Sequence, residues 1–110
     1  MELFGTGMES RDFIYVDDIV SAIHCCLVNA KFNGEAINIA SGKETTISQA
    51  VHTFFDMFPK KKEVVFNGRV KEGDPLYWKA DISALQFMGY KPLINLPGGL
   101  EKYFTWVNQL

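Results

Sequence analysis

Three apolar stripes of helical period lie along this chain, and the runs between them hold short strands, turns and one short helix. Ile19, Ala22, Ile23, Cys26, Leu27 and Ala30 recur at steps of three and four. So do Ile47, Ala50, Val51, Phe54, Phe55 and Phe58 and, near the end, Leu96, Leu100, Tyr103, Phe104, Val107 and Leu110. Each stripe predicts an amphipathic helix with one buried face. Between them, Phe13–Val16, Ala36–Ala40, Glu63–Phe66 and Tyr77–Asp81 read as short strands, rich in β-branched and aromatic side chains or alternating in polarity. Asp81 is placed to cap a short helix, Ile82–Met88, which Gly89 ends. The fold class expected is α+β: three to four short strands, about three longer helices and one short helix. A chain of 110 residues makes one domain with one modest core.

Local signals sharpen these boundaries. Thr46-Ile-Ser-Gln49 has the spacing of a capping box, and Pro59 stops the helix that follows. Its three phenylalanines read as core, not as an aromatic platform. Asp17 or Asp18 is placed to accept from the free N–H groups at the start of the first helix. Gly98 and Gly99 weaken the first turn of the last. Met1–Phe4 has the look of the tail of a strand.

Charge and composition exclude several classes. The net charge is −2, so no broad positive field favours nucleic acid. Lys60-Lys61-Lys62, the only basic run, reads as a solvated helix end. Cys25 and Cys26 are neighbours in a helical pattern and point about 100° apart, so they read as small core residues in a reducing compartment. His24 has no second ligand at metal-binding spacing. No apolar run approaches the ~18 residues a membrane span needs, and no signal peptide opens the chain; a cytoplasmic location is the default expectation.

Gly5-Thr-Gly-Met-Glu-Ser-Arg-Asp-Phe-Ile-Tyr-Val-Asp-Asp18 reads as a glycine turn, a short strand and the start of a helix. Arg11 and Asp12 are either a local pair or a site. Arg69-Val-Lys-Glu-Gly-Asp-Pro75 is either a solvated loop or one in which Arg69 or Lys71 faces phosphate while Asp74 accepts from ribose hydroxyls.

The first of these stretches resembles the "GxG…RDFIYVDD" segment of the NAD-dependent sugar-nucleotide epimerases and dehydratases, in the extended short-chain dehydrogenase/reductase family. Three later passages resemble the same family in the same order. They are Asn38-Ile-Ala-Ser-Gly42 with Thr46-Ile-Ser48, the loop Lys71-Glu-Gly-Asp74, and Lys79-Ala-Asp-Ile-Ser83 with Met88-Gly-Tyr-Lys-Pro92. The likeness runs from Gly5 to about Trp106. It implies substrate-binding roles: Arg11 and Lys71 at the nucleotide diphosphate, Asp74 at the ribose and Phe4 near the base. Lys71 stands where arginine is common in the family. A lysine neutralises phosphate as a point charge without a bidentate fork, and Arg69 is placed to substitute.

The family's chemistry has no counterpart here. The chain has no G-x-x-G-x-x-G between strand and helix, and no Tyr followed four residues later by Lys. The resemblance therefore implies that residues 1–110 are a single C-terminal substrate-binding domain, a fragment of a Rossmann-type enzyme whose cofactor domain is absent. No catalytic, cofactor-binding or metal residue is assigned. NAD or NADP would be bound by the full-length enzyme and not by this portion. The implied partners are a nucleotide sugar and the Rossmann portion of the same polypeptide, with no nucleic acid and no membrane; family members often dimerise through helices of that other portion. Two alternatives stay open: a stand-alone α+β binding or interaction module of this descent, and part of a related reductase with a non-nucleotide substrate.

Overall fold

A computed structural model describes all 110 residues. Four very short strands and four helices follow in the order β1 (Glu2–Leu3), β2 (Ser10–Asp12), α1 (Val16–Asn29), β3 (Glu44–Thr46), α2 (Ile47–Phe55), β4 (Val65–Phe66), α3 (Ser83–Phe87) and α4 (Leu96–Val107). This is the α+β class expected, with three longer helices and one short one. The strands form two separate ladders. β1 pairs with β4 in parallel, Glu2 opposite Val65, and β2 pairs with β3 antiparallel, Arg11 opposite Thr45.

The start of α2 follows its local signal. Thr46 accepts from the Gln49 amide at 3.1 Å while the Gln49 side chain accepts from the Thr46 amide at 3.1 Å, so the capping box is complete. Asn95 caps α4 by accepting from Gly98 N at 3.0 Å. Gly99 has a packing reason for its place: a Cβ there would stand 3.2 Å from the Tyr15 ring. Phe54, Phe55 and Phe58 stack edge-on and pack against Phe104 and Tyr103 of α4, half-buried. Lys62 does not simply project into water; its ammonium lies 5.4 Å from the centre of the Phe58 ring.

The strands depart from expectation. The ladder residues of the first segment are Ser10–Asp12, not Phe13–Val16, because α1 already begins at Val16. Ala36–Ala40 and Tyr77–Asp81 form no regular strand and belong to no ladder. The third segment shortens to Val65–Phe66, and β3 occupies Glu44–Thr46, where a turn and cap were read. α2 closes at Phe55, so Phe58 and Pro59 lie beyond it.

Neither Asp17 nor Asp18 caps α1; Tyr15 holds that position and makes no side-chain cap. Asp18 is instead 2% exposed and accepts from Leu93 N at 3.1 Å and Ile94 N at 3.0 Å, pinning the approach to α4. Asp81 accepts from Ser83 N at 2.9 Å, although Ile82 occupies the cap position of α3.

The buried apolar core is small: Ala22 from α1, Ala40, Ile82, Leu85 from α3 and Tyr90. The Tyr90 hydroxyl has no partner. Burial first, then the charges of Asp18 and Asp12, push its pKa above the ordinary phenol value. The stripe of α1 divides differently from the simple pattern. Ala22 and Cys26 turn inward, while Val16, Val20, Ile23 and Leu27 form an exposed row on the other side. The helix is thus apolar on two faces and covered on one.

Candidate functional site

The turn from β1 to β2 and the loop after β4 enclose a cleft of about 450 Å³. Phe4, Arg11, Arg69, Lys71 and Asp74, the five residues singled out in the sequence, all line it. They come from three stretches, and the two ladders bring them together. Arg11 projects from β2, which β3 fixes in register. Arg69 and Lys71 follow β4, whose pairing with β1 sets them beside Phe4. A backbone bond from Gly5 N to Arg69 O, 2.9 Å, and another from Gly68 N to Gly5 O, 2.9 Å, tie the two walls. The remainder of the wall is Gly5, Glu9, Ile47, Val70 and Leu76. Sequence reasoning missed this second set. Ile47 was read as core because it opens an apolar stripe, and Glu9 carried no pattern beyond its place three residues after a threonine.

Arg11 and Asp12 are not a pair. One guanidinium nitrogen of Arg11, Nη1, donates to Ser10 O at 2.7 Å and Pro75 O at 2.8 Å, which aims the group. Its Nε and Nη2 make no hydrogen bond within the chain and stay available to a ligand. Asp12 faces the other way. It accepts from Ser41 N at 2.8 Å, Ser41 Oγ at 2.5 Å and Gly42 N at 2.9 Å, and so fastens β2 to the segment before β3.

The loop that carries Lys71 and Asp74 closes on itself through Asp74 N to Lys71 O, 3.1 Å. Gly73 makes the turn possible with φ of 86°, an angle that side chains resist. No cation of the cleft is engaged in an ion pair: the chain's single salt bridge joins Lys102 to Asp17 at 3.7 Å, well away. Three cations and two carboxylates thus face one concavity, with Glu9 already bonded to its own loop. Such an arrangement attracts an anion of more than one charge, and the aromatic, aliphatic edge of Phe4, Val70 and Leu76 offers a flat apolar surface beside it.

The geometry does not fit a dinucleotide cofactor. The glycine turn leads into a strand rather than a helix, and the Thr6 and Gly7 amides that would face a pyrophosphate already donate to Glu9. No helix of the chain is long and apolar enough to cross a membrane.

Fold and cleft together define a small α+β unit with a cationic cleft that has an apolar edge. Comparison with known proteins carries this further. Residues 1–40 match the NAD dependent epimerase/dehydratase family. The chain is 31% identical to the uncharacterized UDP-glucose epimerase YtcB of Bacillus subtilis over 111 residues, all of this chain and 35% of that protein. It is 29% identical to GDP-L-fucose synthase 1 of Arabidopsis thaliana over 105 residues, 94% of this chain and 32% of that protein. Its fold superposes with a TM-score of 0.85 and 30% identity on a UDP-glucuronic acid 4-epimerase of Bacillus cereus, solved with UDP-4-deoxy-4-fluoro-glucuronic acid and NAD. That match covers 98% of this chain and 35% of the other. The chain is similar to the C-terminal third of proteins of the NAD-dependent epimerase/dehydratase family. It spans about a third of the length of the curated relatives it matches.

Proposed function

We propose that these residues form the sugar-nucleotide-binding part of an NAD(P)-dependent epimerase or dehydratase. The observation that carries the reading is the convergence of Phe4, Arg11, Arg69, Lys71 and Asp74 on one cleft with three unpaired cations. Arg11 offers its free Nε–Nη2 edge to the diphosphate as a two-donor fork, preset by its bonds to Ser10 and Pro75. Lys71 and Arg69 add point charge from the opposite wall. Asp74 accepts from the ribose hydroxyls, and Phe4 stacks on the base. These contacts lie remote from the reacting sugar. Their binding energy orients it for chemistry whose cofactor and proton-transferring groups lie on a Rossmann portion of the same polypeptide. The chain supplies neither, so alone it is inactive. The enzyme is cytoplasmic and dimerises through that other portion.

Four features support a further layer of protein over this one. The row Val16, Val20, Ile23 and Leu27 leaves α1 apolar on its outer side. No backbone N–H or C=O of Ala36–Ala40 is hydrogen-bonded, although the segment is strand-like in sequence. The accessible surface is 8053 Å², against about 6,100 Å² for a compact monomer of this size. The radius of gyration is 16.4 Å, against roughly 13 Å for a compact chain. The surplus surface exceeds the ~800 Å² that each partner gives to an ordinary interface.

The test has two arms. Titration of the isotope-labelled protein with UDP and GDP, followed by NMR, is expected to move resonances of Arg11, Lys71 and Asp74; a change confined to other regions defeats the site assignment. The coding sequence upstream of Met1 is expected to run on in frame into a glycine-rich strand–turn–helix and a Tyr-x-x-x-Lys. A genuine start at Met1 would leave a stand-alone binding module instead.

A further inference from the structure

Glu9 stands on the wall of the cleft, yet its carboxylate is turned to its own loop. Oε1 accepts from Thr6 N at 2.9 Å and from Thr6 Oγ1 at 3.2 Å. Oε2 accepts from Gly7 N at 2.9 Å and Thr6 N at 3.1 Å. The turn it holds is the joint between the two ladders. Gly5 N donates to Arg69 O on one side, while Ser48 N donates to Gly7 O and Ile47 N to Glu9 O on the other. Gly5 has φ of 87°, and a Cβ there would lie 2.8 Å from both Glu9 oxygens, so the glycine and the clamp require each other. Phe4 precedes the turn and Arg11 follows Glu9 by two residues.

We infer that Glu9 is a positioning residue of the cleft: its carboxylate holds the Gly5–Gly7 turn in the conformation that sets Phe4, Arg69 and Arg11 around one ligand. The inference rests on the sugar-nucleotide reading above and deepens it. Charge alone argues the reverse. An anion among Arg11, Arg69 and Lys71 weakens the field that a phosphate meets, so removing it should tighten anion binding. Positioning predicts looser binding, and the sign of the effect separates the two.

Glu9→Gln carries the test because it changes one atom of the side chain. The amide keeps an acceptor but turns a donor toward an N–H. The probe is UDP, and the second readout is amide hydrogen exchange. The dissociation constant for UDP is expected to rise about fivefold in Glu9→Gln and about tenfold in Glu9→Ala. Exchange at Thr6 and Gly7 should accelerate, while α1 and α4 keep their protection. Unchanged or tighter UDP binding in Glu9→Gln overturns the inference, as does unchanged exchange at Thr6 and Gly7. If the unsubstituted protein ignores UDP, the ligand reading falls, and exchange at Thr6 and Gly7 then decides the clamp alone.

Discussion

Asp12 and Asp18 on one side of the molecule, and Arg11, Lys71 and Asp74 on the other, are charged residues put to opposite uses. Asp18 is buried, and its carboxylate is taken up by the Leu93 and Ile94 amides; Asp12 is taken up by Ser41 and Gly42. Most of their donors are backbone amides, which need partners in a folded chain. Across the cleft, the side chains of Lys71 and Asp74 make no hydrogen bond, and Arg11 uses one nitrogen of three. Hydrogen-bonding capacity that is spent fastens the fold; capacity that is unspent is what the proposed ligand would use. Neighbours in sequence fall on opposite sides of this division, as Arg11 and Asp12 do.

The largest expected effect breaks the fastened side. Asp18→Ala removes the buried acceptor of two backbone amides and should cost roughly 2 kcal/mol of stability, read as a lower midpoint in urea unfolding. Asp18→Asn, which keeps one acceptor, should cost less. Arg11→Ala tests the other side. It should weaken UDP binding at least about tenfold while changing stability by less than about 1 kcal/mol. A large loss of stability with unaltered UDP affinity would put Arg11 among the fasteners. Lys71→Arg should tighten UDP binding by about two- to fivefold, since a guanidinium grips phosphate with a fork where an ammonium offers a point charge. No gain would place Lys71 outside the diphosphate contact.

Two smaller effects sharpen the comparison. The Glu9 pKa lies below its ordinary value of 4.5, chiefly because the Thr6 amide donates to the carboxylate. A depressed carboxylate pKa means that the clamp is present throughout the neutral range and is lost as pH falls through that lowered value. The Thr6 and Gly7 amide shifts should therefore titrate with a midpoint below 4.5. A midpoint at or above it would contradict the clamp. Last, Tyr90→Phe removes a buried hydroxyl that has no partner and keeps the ring. It should be neutral or stabilise by up to about 1 kcal/mol in thermal unfolding.

The sequence by itself marked where the helices lie and five of the ten residues that line the cleft. Helices are closed by contacts three and four residues away, so period and cap are written locally; the Thr46–Gln49 box needed no tertiary information, whereas α2 closes at Phe55, short of the stop expected at Pro59. Phe4, Arg11, Arg69, Lys71 and Asp74 were legible because a family resemblance marked their motifs, although nothing local said that they meet. Tertiary structure decided the rest. A ladder of two or three residues has no sequence signature strong enough to name its partner, so β1 with β4 and β2 with β3 emerge only when distant segments dock. Ala36–Ala40 has strand composition but no partner to complete it. α1 is apolar on two faces, and only the packing of Ala22 and Cys26 against the Leu85 core says which one turns inward. Asp12, Asp18 and Glu9 are acids whose roles depend on which backbone amides come within reach, and that is set by the folded chain as a whole.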